Sequence, residues 1–165
     1  MGWATFLLSF LSFPKMSDSL FDFLYERQQN IRIIAGDGNC FYRALALAVY
    51  DDESFHTTIR STTINSIQMD AETYLPYFSK NEKRFLAALH ANKRTGVWNT
   101  EIADIVPQVV PDVLDINLGI VDYDDDTKML TIHKFGECAG RKTVWVLRTD
   151  GSHYDLLVDG AAPSS

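Results

Sequence analysis

Cys40 follows Asp37-Gly38-Asn39 directly, and Phe41, Ala44, Leu45, Ala48 and Val49 behind it form the apolar stripe of an amphipathic helix. In front, Ile31 to Ala35 is a β-branched run ended by Gly36-Asp37-Gly38, which reads as a buried strand entering a tight turn. The cysteine is thereby expected at a helix N-terminus, where unpaired N–H groups and the positive end of the helix dipole favour a thiolate. An ordinary thiol, with a pKa of about 8.5, is only a few per cent ionised at neutral pH. Full ionisation therefore raises the nucleophile concentration by at most about thirtyfold. Backbone donors aimed at a developing oxyanion are worth about 10² to 10³ each, so the turn of Asp37, Gly38, Asn39 and Cys40 matters more as a candidate oxyanion hole. The same turn could hold an inert buried thiol, the commonest state of an intracellular cysteine. A second constellation separates the two readings. Asp150-Gly151-Ser152 makes a turn, and His153-Tyr154-Asp155-Leu156-Leu157-Val158 follows as a strand. Residues two apart on a strand share a face, so Asp155 can reach the His153 imidazole and fix its tautomer. Cysteine, histidine and an orienting carboxylate then come from two separate turns, as nucleophilic acyl transfer requires.

These residues need a scaffold, and the 165-residue chain, 46% hydrophobic and 22% charged, is long enough to bury a core as one domain without metals or disulfides. Ser17 or Ser19 can cap a short helix through Glu26. Residues 55–69 and 79–90 read as helices, the first weakened by Thr62 and Thr63. Thr100 to Val110 has helical spacing, with Pro107 expected to kink or end it early. Strand-like runs follow over 113–122, 129–133, 143–148 and 153–158, the first two joined by an acidic turn. The expected class is α+β, helices first and sheet later. Residues 1–16 stand apart as an apolar leader of unassigned role, 17–160 form the domain, and 161–165 are a flexible tail.

Asp37-Gly38-Asn39-Cys40-Phe41-Tyr42-Arg43-Ala44 resembles the signature of the ovarian-tumour (OTU) family of cysteine peptidases, and His153-Tyr154-Asp155 resembles its second motif. The separation of 113 positions between Cys40 and His153 is similar to that of compact members, including OTU domains of some viral polyproteins. Trp98-Asn99-Thr100-Glu101 is a weaker match, and the resemblance covers about residues 31 to 158. It implies an OTU-like fold, a helical lobe packed on a small, mostly antiparallel sheet. It also implies hydrolysis of the isopeptide bond between a ubiquitin, or ubiquitin-like, C-terminus and a lysine amine, with no metal or organic cofactor. Carried over, Cys40 attacks, His153 takes its proton and later protonates the leaving amine, and Asp155 orients His153. Asp37 braces the loop, although the family sometimes assigns the acidic role to the matching position. Trp98 is a candidate on the substrate side and equally a core anchor. Asn99-Thr100 and Pro107 depart from the family pattern. Three alternatives remain: a ubiquitin-binding module without catalysis, a peptidase acting on its own polyprotein or another modifier, and a redox sensor using Cys40 and Cys138. The redox reading leaves His153-Tyr154-Asp155 unexplained.

Other chemistries fit less well. A net charge of -7 and a pI near 4.9 disfavour nucleic acid and suit a protein partner with a basic face, met by a monomer. Asp122, Asp124 and Asp126 alternate as in a calcium loop, but Thr127 stands where glycine is needed and His133 where glutamate is. His56, His90, His133 and Cys138 lack zinc-ligand spacing. Gly36-Asp37-Gly38 is too short for a phosphate loop. Two cysteines are no disulfide framework, so a reducing compartment, cytoplasmic or nuclear, is expected rather than secretion. The apolar stretch from Trp3 to Phe13 is far short of the roughly 20 residues that span a bilayer, and it lacks a basic start and a small-residue cleavage site.

Overall fold

The computed structural model describes residues 19–160; the apolar leader over 1–16 and the tail over 161–165 lie outside the described residues. α1 (Ser19–Arg27) leads into β1 (Gln29–Arg32), and an irregular loop carries the chain to α2 (Cys40–Tyr50). After one 3-10 turn come α3 (His56–Met69), the short α4 (Ala71–Tyr74), α5 (Glu82–Lys93) and α6 (Val106–Leu114). β2 (Ile116–Asp124), β3 (Met129–Phe135), β4 (Lys142–Thr149) and β5 (His153–Asp159) complete the chain. The five strands lie in the order β1-β5-β4-β2-β3, every neighbouring pair antiparallel except β2 with β4. This is an α+β fold with a helical lobe on a mostly antiparallel sheet.

Alternation along the strands decides what each face buries. Val144 and Val146 of β4, with Tyr154 and Leu156 of β5, join the main core, which also contains the stripe of α2. Leu147 and Leu157 join a second cluster with Leu24, Val121 and Tyr123, against which Leu20 and Phe23 of α1 pack. α2 is the central helix: Phe41, Tyr42, Ala44, Leu45 and Ala46 are all fully buried. Each large apolar side chain so buried contributes about 1.5–3 kcal/mol, more than a helix cap at about 1 kcal/mol. α2 accordingly does without one, for Asn39 occupies its N-cap position and makes no capping hydrogen bond with its side chain.

Several elements differ from the sequence expectation, each for a physical reason. The strand expected over Ile31 to Ala35 ends at Arg32, because the β1–β5 ladder runs from Gln29↔Asp159 to Arg32↔Leu156. Beyond it Ile33 is exposed, Ile34 turns into the core, and the Ile34 N–H goes to the carboxylate of Asp155. The helix expected over Thr100 to Val110 starts only at Val106, so Pro107 sits in its first turn, where a missing N–H costs nothing. The run from Val113 therefore closes this helix, and β2 begins at Ile116. α5 starts at Glu82 rather than Ser79 because the Asn81 side chain accepts from Arg84 N at 3.0 Å. The helical turns over 71–78 had no periodic signal. At the acidic turn Asp124 Oδ1 accepts from the N–H groups of Asp126 and Thr127 at 2.9 and 3.2 Å, so this carboxylate closes the hairpin. No helix among the described residues is long and apolar enough to cross a membrane.

His56 opens α3 as a buried residue, 7% exposed, and its Nδ1 has no hydrogen-bond partner. Burial, with help from Arg43 and against the pull of Asp37 and Glu53, holds its imidazole below the ordinary value. A histidine with a depressed folded-state pKa is protonated first in the unfolded chain, so stability falls as pH drops below about 6.5. In urea titrations the loss of stability between pH 7 and pH 5 should be smaller in His56→Gln than in the wild type; an identical pH dependence would count against this assignment.

Candidate active site

The β1–α2 loop and the β4–β5 turn meet at the end of the sheet. The antiparallel pairing of β5 with both β1 and β4 places His153 at the start of its strand, beside Thr149. The burial of α2 against β4 and β5 brings Cys40 to the same place. Cys40 is 6% exposed, and its thiol donates to the Ser152 carbonyl at 3.8 Å across 112 positions of chain. His153 Nε2 stands 3.0 Å from Asp155 Oδ1. That oxygen also accepts from Ile34 N at 2.7 Å, so one carboxylate ties the β1–α2 loop to the histidine. With Nε2 donating to Asp155, the acceptor on the ring is Nδ1, which lies against Gly36; a Cβ there would stand 3.4 Å from it.

Asp37 points elsewhere. Its Oδ1 accepts from Asn39 N at 3.0 Å, and its carboxylate takes a two-pronged pair from Arg43, with Nη2 to Oδ2 at 2.7 Å. Arg43, and secondarily Asn39, hold this carboxyl far below the usual range, so it stays charged throughout the working pH range. The geometry makes Asp37 a brace of the turn and Asp155 the partner of His153.

The turn has four N–H groups, and two are already in use: Asp37 N bonds the Ala35 carbonyl and Asn39 N the Asp37 carboxylate. Of the four residues expected as an oxyanion hole, only Gly38 and Cys40 have N–H groups without an acceptor oxygen among the described residues. Burial pushes the Cys40 thiol up, while N–H groups of Tyr154, Phe41 and Cys40 itself pull it down. Burial wins. Desolvation thus outweighs the helix-terminus effect expected from sequence, and the resting sulfur keeps its proton until a base takes it.

Trp98 packs on the rings of Phe41, Tyr42 and Tyr154, with centroids 5.4, 6.0 and 5.6 Å away. It is half-buried and anchors the 94–98 loop against the start of α2. Cys138 is exposed and donates to the Gly136 carbonyl, and both cysteines are free thiols. Sequence reasoning missed Gly36, Gly96 and Arg60. Gly38 has φ +76°, and a Cβ on it would collide with the Gly96 carbonyl at 2.2 Å, so the two loops touch backbone to backbone. Arg60 had a legible signal, for it lies on the same helical face as His56, Thr63 and Ile67, all of them buried.

Comparison with known proteins gives a consistent picture. The family model for the Vertnin OTU domain matches residues 32–114, half of the chain. The mouse OTU domain-containing protein 1 is 28% identical over 149 residues, an alignment that takes in 85% of this chain and 31% of that protein. The chain thus spans about a third of the length of the curated relatives it matches. Among solved structures, the OTU domain of OTUD1 superposes with a TM-score of 0.70 at 23% identity, covering 85% of this chain and 92% of that one. The Hazara virus OTU bound to ubiquitin superposes with a TM-score of 0.60 at 18% identity, covering 79% and 80%. Both share the fold.

Asp155→Ala leaves two donors, Ile34 N–H and His153 Nε2–H, without their acceptor, and the buried one, Ile34 N–H, costs about 1–3 kcal/mol when unpaired. Asp37→Ala removes a partly exposed ion pair, worth less than about 1 kcal/mol, and leaves a single donor, Asn39 N–H, without its acceptor. Urea denaturation at neutral pH should therefore rank Asp155→Ala as the less stable variant; the reverse order would contradict the hydrogen-bond assignment.

Proposed function

The chain belongs to the OTU family, and on that premise we propose that it is a cysteine-type deubiquitinase, with Cys40 as nucleophile, His153 as general base and acid, and Asp155 as the orienting carboxylate. The observation that carries this reading is the imidazole geometry. With Nε2 bonded to Asp155, the lone pair of Nδ1 is left as the base on the side of the ring that meets the nucleophile loop. Ubiquitin enters as the substrate from the ubiquitin-bound OTU structures that share this fold.

In the first half of the reaction Cys40 Sγ attacks the carbonyl carbon of the isopeptide bond, and its proton passes to His153 Nδ1. The oxygen becomes an oxyanion, for which the N–H groups of Gly38 and Cys40 are the candidate donors. As the C–N bond breaks, the imidazolium protonates the lysine amine, which departs. In the second half His153 takes a proton from water, the hydroxide attacks the thioester, and the thiol is regenerated as the ubiquitin carboxylate leaves. The buried sulfur fits this order, because a thiol held protonated by desolvation needs a base to take its proton. Asp155 keeps the ring in the tautomer that can accept, and Asp37 keeps the turn in shape.

A ubiquitin whose C-terminal carboxylate is replaced by a thiol-reactive electrophile should form a covalent adduct on Cys40, read by mass spectrometry, and Cys40→Ala should abolish it while Cys138→Ala does not. On a ubiquitin conjugate, Asp155→Ala should lower kcat by more than about tenfold with KM little changed, and Asp37→Ala should do less. Modification of Cys40 by iodoacetamide with no adduct from ubiquitin or a ubiquitin-like electrophile at saturation would sink the deubiquitinase reading.

A further inference from the structure

Among the described residues Arg60 is the largest fully buried side chain, 1% exposed, and no carboxylate pairs with it. An unpaired charge in a core is expensive, so the acceptors around it must answer for its presence. Its Nη1 donates to the carbonyls of Asn92 and Val97 at 3.0 and 2.6 Å. Its Nη2 donates to the Gly38 carbonyl at 2.8 Å and to Asn39 Oδ1 at 3.0 Å. The guanidinium also lies over the Tyr42 ring at 4.4 Å. One side of the fork therefore grips the end of α5 and its following loop, and the other grips the turn in front of Cys40. Asn39 completes the joint, since the same Oδ1 accepts from Gly96 N at 2.7 Å. This use of the amide explains why Asn39, at the N-cap position, does not cap α2.

We propose that Arg60 is a positioning residue for acyl transfer at Cys40: its guanidinium holds the Gly38–Asn39 turn in the one shape that presents the free Gly38 and Cys40 N–H groups to the oxyanion. The inference rests on the cysteine-peptidase reading of the site. Gly38 carries one of the two uncommitted donors, and its left-handed backbone has no side chain to fix it; the carbonyl bond to Arg60 does so from below. Asp37 and Arg43 hold the same turn from the solvent side. Lysine cannot replace the arginine, because one ammonium cannot reach four oxygens lying on two loops in the plane of a fork.

Two reagents separate positioning from general damage. Alkylation of Cys40 by iodoacetamide needs a reactive sulfur and no oxyanion, whereas acylation by p-nitrophenyl acetate passes through one. In Arg60→Lys the acylation rate should fall by about tenfold or more while alkylation stays within about twofold of the wild type. Asn39→Ala, which breaks the joint without removing the charge, should show the same split. On a ubiquitin conjugate, kcat should fall in Arg60→Lys with KM unchanged. Equal losses of acylation and alkylation, no loss of either, or failure of both variants to fold would each overturn the proposal and make Arg60 a core strut. Because neither small reagent involves ubiquitin, the split in Arg60→Lys together with a wild-type protein that cleaves no ubiquitin conjugate would refute the deubiquitinase reading and leave the role of Arg60 standing.

Discussion

The chain between β1 and α2 has no ladder or helix of its own, and its backbone is held almost entirely by charged side chains. Arg43 grips Asp37 from the solvent side, Arg60 grips Gly38 and Asn39 from the core, and Asp155 takes the Ile34 N–H at the start of the loop. A loop held this way can leave backbone donors without partners, which regular secondary structure cannot. Two N–H groups, those of Gly38 and Cys40, are left without an acceptor oxygen as a result. The rest of the fold serves to bring these three side chains to the loop from α2, α3 and β5.

Asp155 shows how one buried oxygen can do two jobs. By accepting from Ile34 N it stops β1 at Arg32 and turns the chain inward; by accepting from His153 it selects the tautomer of the ring. The two roles are coupled through geometry, because the β1–β5 register that sets one also sets the other. Asp37, only a few residues from Cys40 in sequence, is drawn away to Arg43 and cannot compete for the imidazole.

Burial of the sulfur has a related consequence. Desolvation raises the thiol above its ordinary value even though three backbone N–H groups point the other way. In the proposed reaction, charge separation is deferred to the moment when His153 takes the proton, and donors are fixed in place before the oxyanion forms. The rings of Phe41, Trp98 and Tyr154 pack against one another beneath that arrangement.

The sequence alone determined those features that depend on local pattern. The apolar stripe after Cys40 required a helix beginning at the cysteine, and alternation after the Asp150-Gly151-Ser152 turn put His153 and Asp155 on one face, close enough for the 3.0 Å bond. The sequence also placed the strands in the last third and the helices before them, since periods of 2 and 3.6 are properties of neighbouring residues. Tertiary structure decided whatever depends on partners remote in the chain. The end of β1 was decided by a carboxylate 121 positions away, and α6 starts at Val106 with Pro107 in its first turn. The balance of burial against helix-end donors at Cys40 was set by packing around the sulfur. The use of Asn39 as a bridge rather than a cap needed Arg60 and Gly96, 21 and 57 positions along. Periodicity reports which face of an element is buried; only the folded chain decides which distant groups meet there.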